Sequence, residues 1–181
     1  MFGMTKPLDV LYERILDTAY GSANPRERSH IGIVLQAVVH VYNPLSMVAI
    51  SSLTQIPIED VEAALSSLHS LIYIPSSKHV AKQISILHDS FYDLISNQAL
   101  LSKHYLNSCN SHTPLTHQCL FLMDKEWSGR KDIPYLIERR CEDISEALAY
   151  ACSSCAFHLT NGKSNNKLAG LKHLFDTHLL Q

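Results

Sequence analysis

Residues Ile84-Ser-Ile-Leu-His-Asp-Ser-Phe-Tyr-Asp-Leu-Ile95 decide how this chain folds and what it can do. The first part is typical of a short buried β-strand that ends on His88. A helix is predicted to follow at once, with the Asp89 carboxylate as its N-cap. An imidazole at such a junction can reach out of a small domain toward a ligand that another domain holds. His88 is therefore the candidate binding residue of the chain.

The segment before this stretch is predicted to be helical and then to change to strands. Two short β-prone runs, residues 71–74 and 84–87, are joined by a polar segment. Three helices followed by a two-stranded hairpin is the element order of a winged helix. The spacing of apolar residues predicts the preceding helices over residues 7–20, 27–41, 46–54 and 58–70.

The segment after this stretch is predicted to be helical throughout, apart from a polar connector at residues 127–143. Gly162 is expected to end the helix predicted at residues 145–160, as glycine commonly does at a helix C-terminus. The fold class is therefore mainly α, with a linker helix at 1–25, a winged-helix module at 26–97 and an α-helical module at 98–181. The predicted helices span residues 91–106, 114–126, 145–160 and 165–180.

Composition narrows the classes of function. In 181 residues, 46% are hydrophobic and 18% charged, which suits a packed core. The net charge of −2 gives no electrostatic footprint for nucleic acid. The longest apolar run, Ile31 to Val39, is far too short to span a membrane, and the N-terminus lacks a signal-peptide pattern. Five cysteines do not form a disulfide framework, so we expect a reducing, cytoplasmic setting.

Several segments in order are similar to one family. In order they are Leu8-Asp-Val-Leu-Tyr-Glu-Arg-Ile-Leu16, Ala37-Val-Val-His-Val-Tyr-Asn-Pro-Leu45, Asp60-Val-Glu-Ala-Ala-Leu-Ser-Ser-Leu-His69, Ile86-Leu-His-Asp-Ser-Phe-Tyr-Asp-Leu94, Tyr150-Ala-Cys and Ala156-Phe-His-Leu159. The first segment resembles the helix that follows the nucleotide-binding core in fungal NACHT-type signalling NTPases of the STAND class. The next three segments resemble the winged helix of that family, and the last two resemble the helical region that follows it.

The resemblance implies a role for His88. In that family the histidine of a His-x-Ser-Phe motif faces the diphosphate of bound ADP and helps to hold the closed, resting state. His88 matches that position, and Ser90 and Phe91 follow as the motif requires. The chain carries no Gly-x-x-x-x-Gly-Lys-Ser/Thr loop, so we expect it to bind ADP or ATP only together with a NACHT core. It also departs from the family in a shorter connector near Trp127 and in Cys155, where an aromatic residue is usual.

The sequence disfavours two other kinds of site, a metal site and a DNA-binding helix. Cys152, Cys155 and His158 share one predicted helix at spacings that do not converge on a metal, so the cysteines are expected to be buried apolar residues. The helix that would enter a DNA groove, residues 58–70, carries Glu59, Asp60 and Glu62 and no lysine or arginine, which disfavours duplex binding. No catalytic residue and no metal ligand is predicted.

The sequence thus predicts the regulatory arm of a NACHT-type switch, with no enzymatic activity of its own and with the ATPase core missing. Its partners would be a NACHT nucleotide-binding core or other protein domains, and exposed apolar helix faces would favour self-association. The alternative is a stand-alone helical adaptor that binds a protein partner. A DNA-binding winged helix is a third, weaker hypothesis.

Overall fold

The computed structural model describes residues 7–75, 82–95, 112–128 and 144–162, together with 172 and 176. The helix predicted at 165–180 lies almost wholly outside these residues, as do most of the 127–143 connector and the second half of the 91–106 helix. The chain forms two compact units, Met1–Cys109 and Asn110–Gln181.

The first unit contains five helices and a two-stranded antiparallel sheet in its described residues. This confirms the prediction of helices followed by a small hairpin. The helix that the sequence analysis set apart as a linker belongs to the same unit. The elements are α1 (Pro7–Gly21), α2 (Pro25–His40), α3 (Met47–Thr54), α4 (Ile58–Ser66), β1 (Ile72–Tyr73), β2 (Ser85–Ile86) and α5 (Asp89–Ile95).

Local sequence signals explain where the first helices begin. The Asn24 side chain accepts a hydrogen bond from the Glu27 backbone N–H at 3.0 Å, and the Glu27 carboxylate accepts one from the Asn24 N–H at 2.9 Å. This capping box, with Pro25 as the first residue, starts α2 two residues before the predicted Glu27. Ser46 caps α3 as predicted, since its Oγ accepts from the Ala49 N–H.

The small sheet is extended by a third segment that the sequence did not reveal. Ile72 pairs with Ile86 and Tyr73 with Ser85. Ser46, just before α3, forms an isolated antiparallel bridge with Gln83, and the Ile84 N–H donates to the Leu45 carbonyl at 2.8 Å. The hairpin is therefore tied to the start of α3, which fixes the direction in which β2 delivers the chain to α5.

Phe91 anchors the start of α5 in the core of the first unit. Its side chain is fully buried, and Leu94 and Ile95 are buried one turn later. The Phe91 ring meets the ring of Tyr12 edge-on, with centroids 5.4 Å apart and an interplanar angle of 71°. Tyr12 and Leu16 of α1 are themselves buried. The α1 helix therefore packs against the residues that immediately follow His88.

The second unit is described as a pair of packed helices, α6 (His112–Ser128) and α7 (Glu146–Asn161). Ser145, the first residue of the helix predicted at 145–160, is the N-cap of α7, and its Oγ accepts from the Leu148 N–H. The helices run antiparallel, because the first residue of α6 contacts His158 near the end of α7. Gly162 follows the end of α7 as predicted, but the structural reason for a glycine there is different from the one expected. Its φ is −80°, not left-handed, and a Cβ there would lie 2.9 Å from Thr113 Oγ1, so close approach favours glycine.

We predict that Phe91→Ala destabilises the first unit by about 3–5 kcal/mol, because it removes a fully buried aromatic side chain and leaves a cavity. Tyr92→Ala, which truncates the neighbouring half-exposed ring, is the control and should cost less than about 1 kcal/mol. Urea unfolding, monitored through hydrogen exchange of the α2 amides, measures the loss of stability in both variants. Similar losses for the two variants would contradict the packing described for α1 and α5.

Candidate functional site

His88 lies between β2 and α5, and its side chain is exposed to solvent. Its carbonyl accepts a hydrogen bond from the Phe91 N–H at 2.9 Å, the first bond of the α5 turn. The junction expected from the sequence is therefore present, with the ring on the surface of the first unit.

The capping of α5 differs from the expectation. Asp89 is the first residue of the helix rather than its cap. The ring of His88 takes that role, since its Nδ1 accepts from the Ser90 backbone N–H at 3.3 Å. Histidine is not a usual N-cap, which is why the sequence pattern favoured Asp89.

A short chain of hydrogen bonds leads from the ring into the protein. Ser90 Oγ lies 2.8 Å from His88 Nδ1, and the Tyr12 hydroxyl lies 2.8 Å from the same Ser90 Oγ. Ser90 thus joins the exposed imidazole to a tyrosine of α1. Sequence reasoning missed Tyr12, although it lies one helical turn before the buried Leu16 and therefore on the same face of α1.

The other ring nitrogen of His88, Nε2, belongs to an exposed side chain. Within the residues that the structure describes, His88 Nε2 has no hydrogen-bond partner. One imidazole nitrogen is held by the protein, and the other is available to a ligand or a neighbouring molecule.

Large apolar side chains are exposed next to His88 in the sequence and on α1. Leu87, directly before His88, is 55% exposed. Leu8 lies one turn before Tyr12 on α1 and is also exposed, as is Leu11, which is 50% exposed. Single exposed leucines are common on protein surfaces. In this unit they occur together with the exposed His88 ring, which is held by hydrogen bonds to Ser90. Asp89 contributes a negative charge beside the ring.

The second unit holds a buried polar cluster. His158 is fully buried, and its Nε2 lies 2.6 Å from the Tyr150 hydroxyl, while its Nδ1 lies 2.9 Å from His112 Nδ1. Two ring nitrogens at this distance share one proton, since one must donate and the other accept. The sequence analysis considered His158 only as a possible metal ligand and did not predict this cluster. Its spacing from Tyr150, two helical turns, was the available signal.

The structure describes three of the five cysteines, Cys119, Cys152 and Cys155. Cys155 is buried as expected, whereas Cys152 is exposed, so the expectation of two buried cysteines is half wrong. Burial raises the pKa of the Cys119 thiol to about 12 and also raises the pKa of the Cys155 thiol. His158 bonds to Tyr150 and His112 instead. No group of three suitable ligands occurs among the described residues.

Comparisons with known proteins give no match to a protein-family model, a curated protein or a solved structure. In the described parts of the chain, every helix is too short or too polar to cross a membrane. The case for function therefore depends on the geometry of this chain.

We predict that the second unit loses stability as the pH falls below about 6.5. Burial lowers the pKa of His112, so between the unfolded and folded pKa values the unfolded chain binds the extra proton and unfolding becomes easier. Below the folded pKa both states are protonated and the loss levels off. Hydrogen exchange of α7 amides between pH about 8 and about 5 measures the slope.

The slope should shrink in His112→Gln and persist in His117→Gln, a variant of an exposed histidine on the same helix. An unchanged slope in His112→Gln would show that another group is responsible.

Proposed function

We propose that this chain is a regulatory winged-helix arm of a NACHT-type nucleotide switch, and that His88 contacts a phosphate of ADP held by a separate NACHT core. The observation that carries the proposal is the exposed His88 ring at the β2–α5 junction, with Nδ1 bound to Ser90 and Nε2 directed outward. The order of helices and hairpin in the first unit supports it. The chain performs no catalysis in this role.

A contact of this kind has the strength that a switch requires. A hydrogen bond to a charged phosphate contributes about 1.5–3 kcal/mol. It shifts an equilibrium only if it is made in one state and lost in the other. An arm that touches ADP when closed and leaves it when open makes such a differential contact. The expected bias toward the closed state is about tenfold to a hundredfold.

The surface around His88 fits a protein partner as well as a nucleotide. The exposed leucines Leu8, Leu11 and Leu87 would pack against the core while the imidazole reaches the phosphate. Apolar contact would supply affinity that does not depend on the nucleotide, and His88 would add the part that does. The same leucines favour self-association of the chain when the core is absent.

We predict that the chain alone has no measurable affinity for ADP or ATP by isothermal titration calorimetry. One imidazole cannot hold a nucleotide, the sequence lacks a phosphate loop, and Asp89 places a negative charge beside the ring. Micromolar binding would contradict the need for a separate core.

The proposal is tested by co-expression with a NACHT core encoded in the same genome. Pull-down with ADP should recover about tenfold more of the chain than pull-down with a non-hydrolysable ATP analogue, and His88→Ala should remove that difference. His69→Ala is the matched control, because His69 is also an exposed histidine of the first unit. Equal recovery with both nucleotides, or equal loss in both variants, would exclude the switch.

A stand-alone adaptor is the second candidate, and one observation favours it. Phe121 is 54% exposed on α6, and Ile144 is exposed just before α7, so the second unit presents apolar side chains to solvent. Such side chains suit a protein partner. In this case the pull-down would recover a partner in a manner that depends on Phe121 and not on His88 or nucleotide. DNA binding gains no support, since Glu59 and Glu62 of α4 are exposed.

A further inference from the structure

The hydrogen bonds at His88 specify where its proton resides. A backbone N–H can only donate, so the contact of the Ser90 N–H with His88 Nδ1 requires a lone pair on that nitrogen. In a neutral imidazole with Nδ1 unprotonated, the proton is on Nε2. The ring therefore presents a donor to solvent and not an acceptor.

The same requirement sets the direction of the remaining bonds. Since Nδ1 is an acceptor, the Ser90 hydroxyl donates to it across 2.8 Å. The Ser90 oxygen is then free to accept, and the Tyr12 hydroxyl donates to it across 2.8 Å. The chain runs in one direction, from the Tyr12 hydroxyl to the Ser90 hydroxyl to His88 Nδ1. Bonds aligned in this way strengthen one another.

We propose that Tyr12 and Ser90 are positioning residues that hold His88 as the Nε2–H tautomer with its ring fixed in place. The outward group is then a preset donor, and its complement is an oxygen that only accepts, as the oxygens of a phosphate or carboxylate do. That the acceptor is an ADP phosphate depends on the function proposed above. The tautomer itself is a property of this chain alone.

The arrangement also links α1 to the site. Tyr12 is buried, and its ring rests against Phe91, so the hydroxyl that begins the chain cannot move without α1. Displacement of α1 would remove the Tyr12 donor and weaken the hold of Ser90 on the ring. A movement of the first helix is thereby converted into a change at His88, which lies 76 positions along the chain from Tyr12.

The tautomer is measured directly by long-range ¹H–¹⁵N NMR of the imidazole rings in the full 181-residue chain, at a pH of about 8, which is above the ordinary pKa of a model imidazole. His88 should be in the Nε2–H form by about ten to one. His69 provides an internal contrast. Its Nδ1 lies 3.0 Å from the Ser66 carbonyl oxygen, which only accepts, so His69 should be in the Nδ1–H form.

Three variants separate positioning from a general structural effect. Ser90→Ala should lower the His88 tautomer ratio several-fold, toward the ratio of the urea-unfolded chain. Tyr12→Phe keeps the packed ring and should lower the ratio by a smaller factor. Ser90→Thr keeps the hydroxyl and should restore it. The His69 signal should be the same in all of them.

The inference is overturned if His88 is found in the Nδ1–H form, or if its ratio in the folded chain equals that in urea. A His88 tautomer ratio that is unchanged in Ser90→Ala also overturns the inference. These outcomes are distinct from failure of the proposed function. A preset Nε2–H with no nucleotide-dependent pull-down would uphold the positioning role of Tyr12 and Ser90 and reject the NACHT core as the source of the acceptor.

Discussion

The contact of Tyr12 with Ser90 and Phe91 is the interaction on which the site depends. Phe91 is the buried anchor of α5, and Tyr12 packs on its edge while binding Ser90 through its hydroxyl. One tyrosine thus makes an apolar contact and a polar contact with consecutive residues. The apolar contact sets where α5 begins, and the polar contact determines how the preceding imidazole is held. Without it His88 would be an exposed histidine on a loop, free to rotate.

The two units use polar side chains in opposite ways. In the first, hydrogen bonds lead from a buried tyrosine outward to an exposed ring, which leaves one nitrogen available at the surface. In the second, Tyr150 and His112 enclose a fully buried His158. A buried network of that kind fixes helix packing at the cost of sensitivity to protonation. Within the described residues, the first arrangement ends on an exposed ring and the second encloses a buried one, and the functional proposal accordingly concerns the first unit.

The sequence predicted features that depend on neighbours in the chain. The serine cap at Ser46 was predicted correctly, because a cap bonds to a residue three positions ahead in the chain. The helices, the hairpin and the His88 junction followed from the spacing of apolar residues. The prediction of Asp89 as the cap was wrong. Capping preferences rank residue types, but they do not show which side chain lies over the first turn of the helix, and here it is His88.

Features that depend on distant residues were missed. Tyr12 meets Ser90 across 78 positions and His112 meets His158 across 46, and no local pattern indicates such pairs. The bridge from Ser46 to Gln83 was missed for the same reason. Gly162 was assigned to a left-handed cap, whereas the constraint is a neighbouring helix at Thr113. Sequence periodicity shows which face of an element is buried, and the residue that covers it becomes known only from the structure.

In the proposed function, His88 Nε2 would meet a phosphate in the ADP-bound closed state. Single-hit acylation of histidines by diethyl pyrocarbonate, quantified by mass spectrometry, reports the accessibility of that nitrogen. In the chain alone His88 should react readily. With the NACHT core and ADP its rate should fall about tenfold, and with the ATP analogue it should recover, while His69 reacts equally throughout. A His88 rate that is the same in all three conditions would contradict the account.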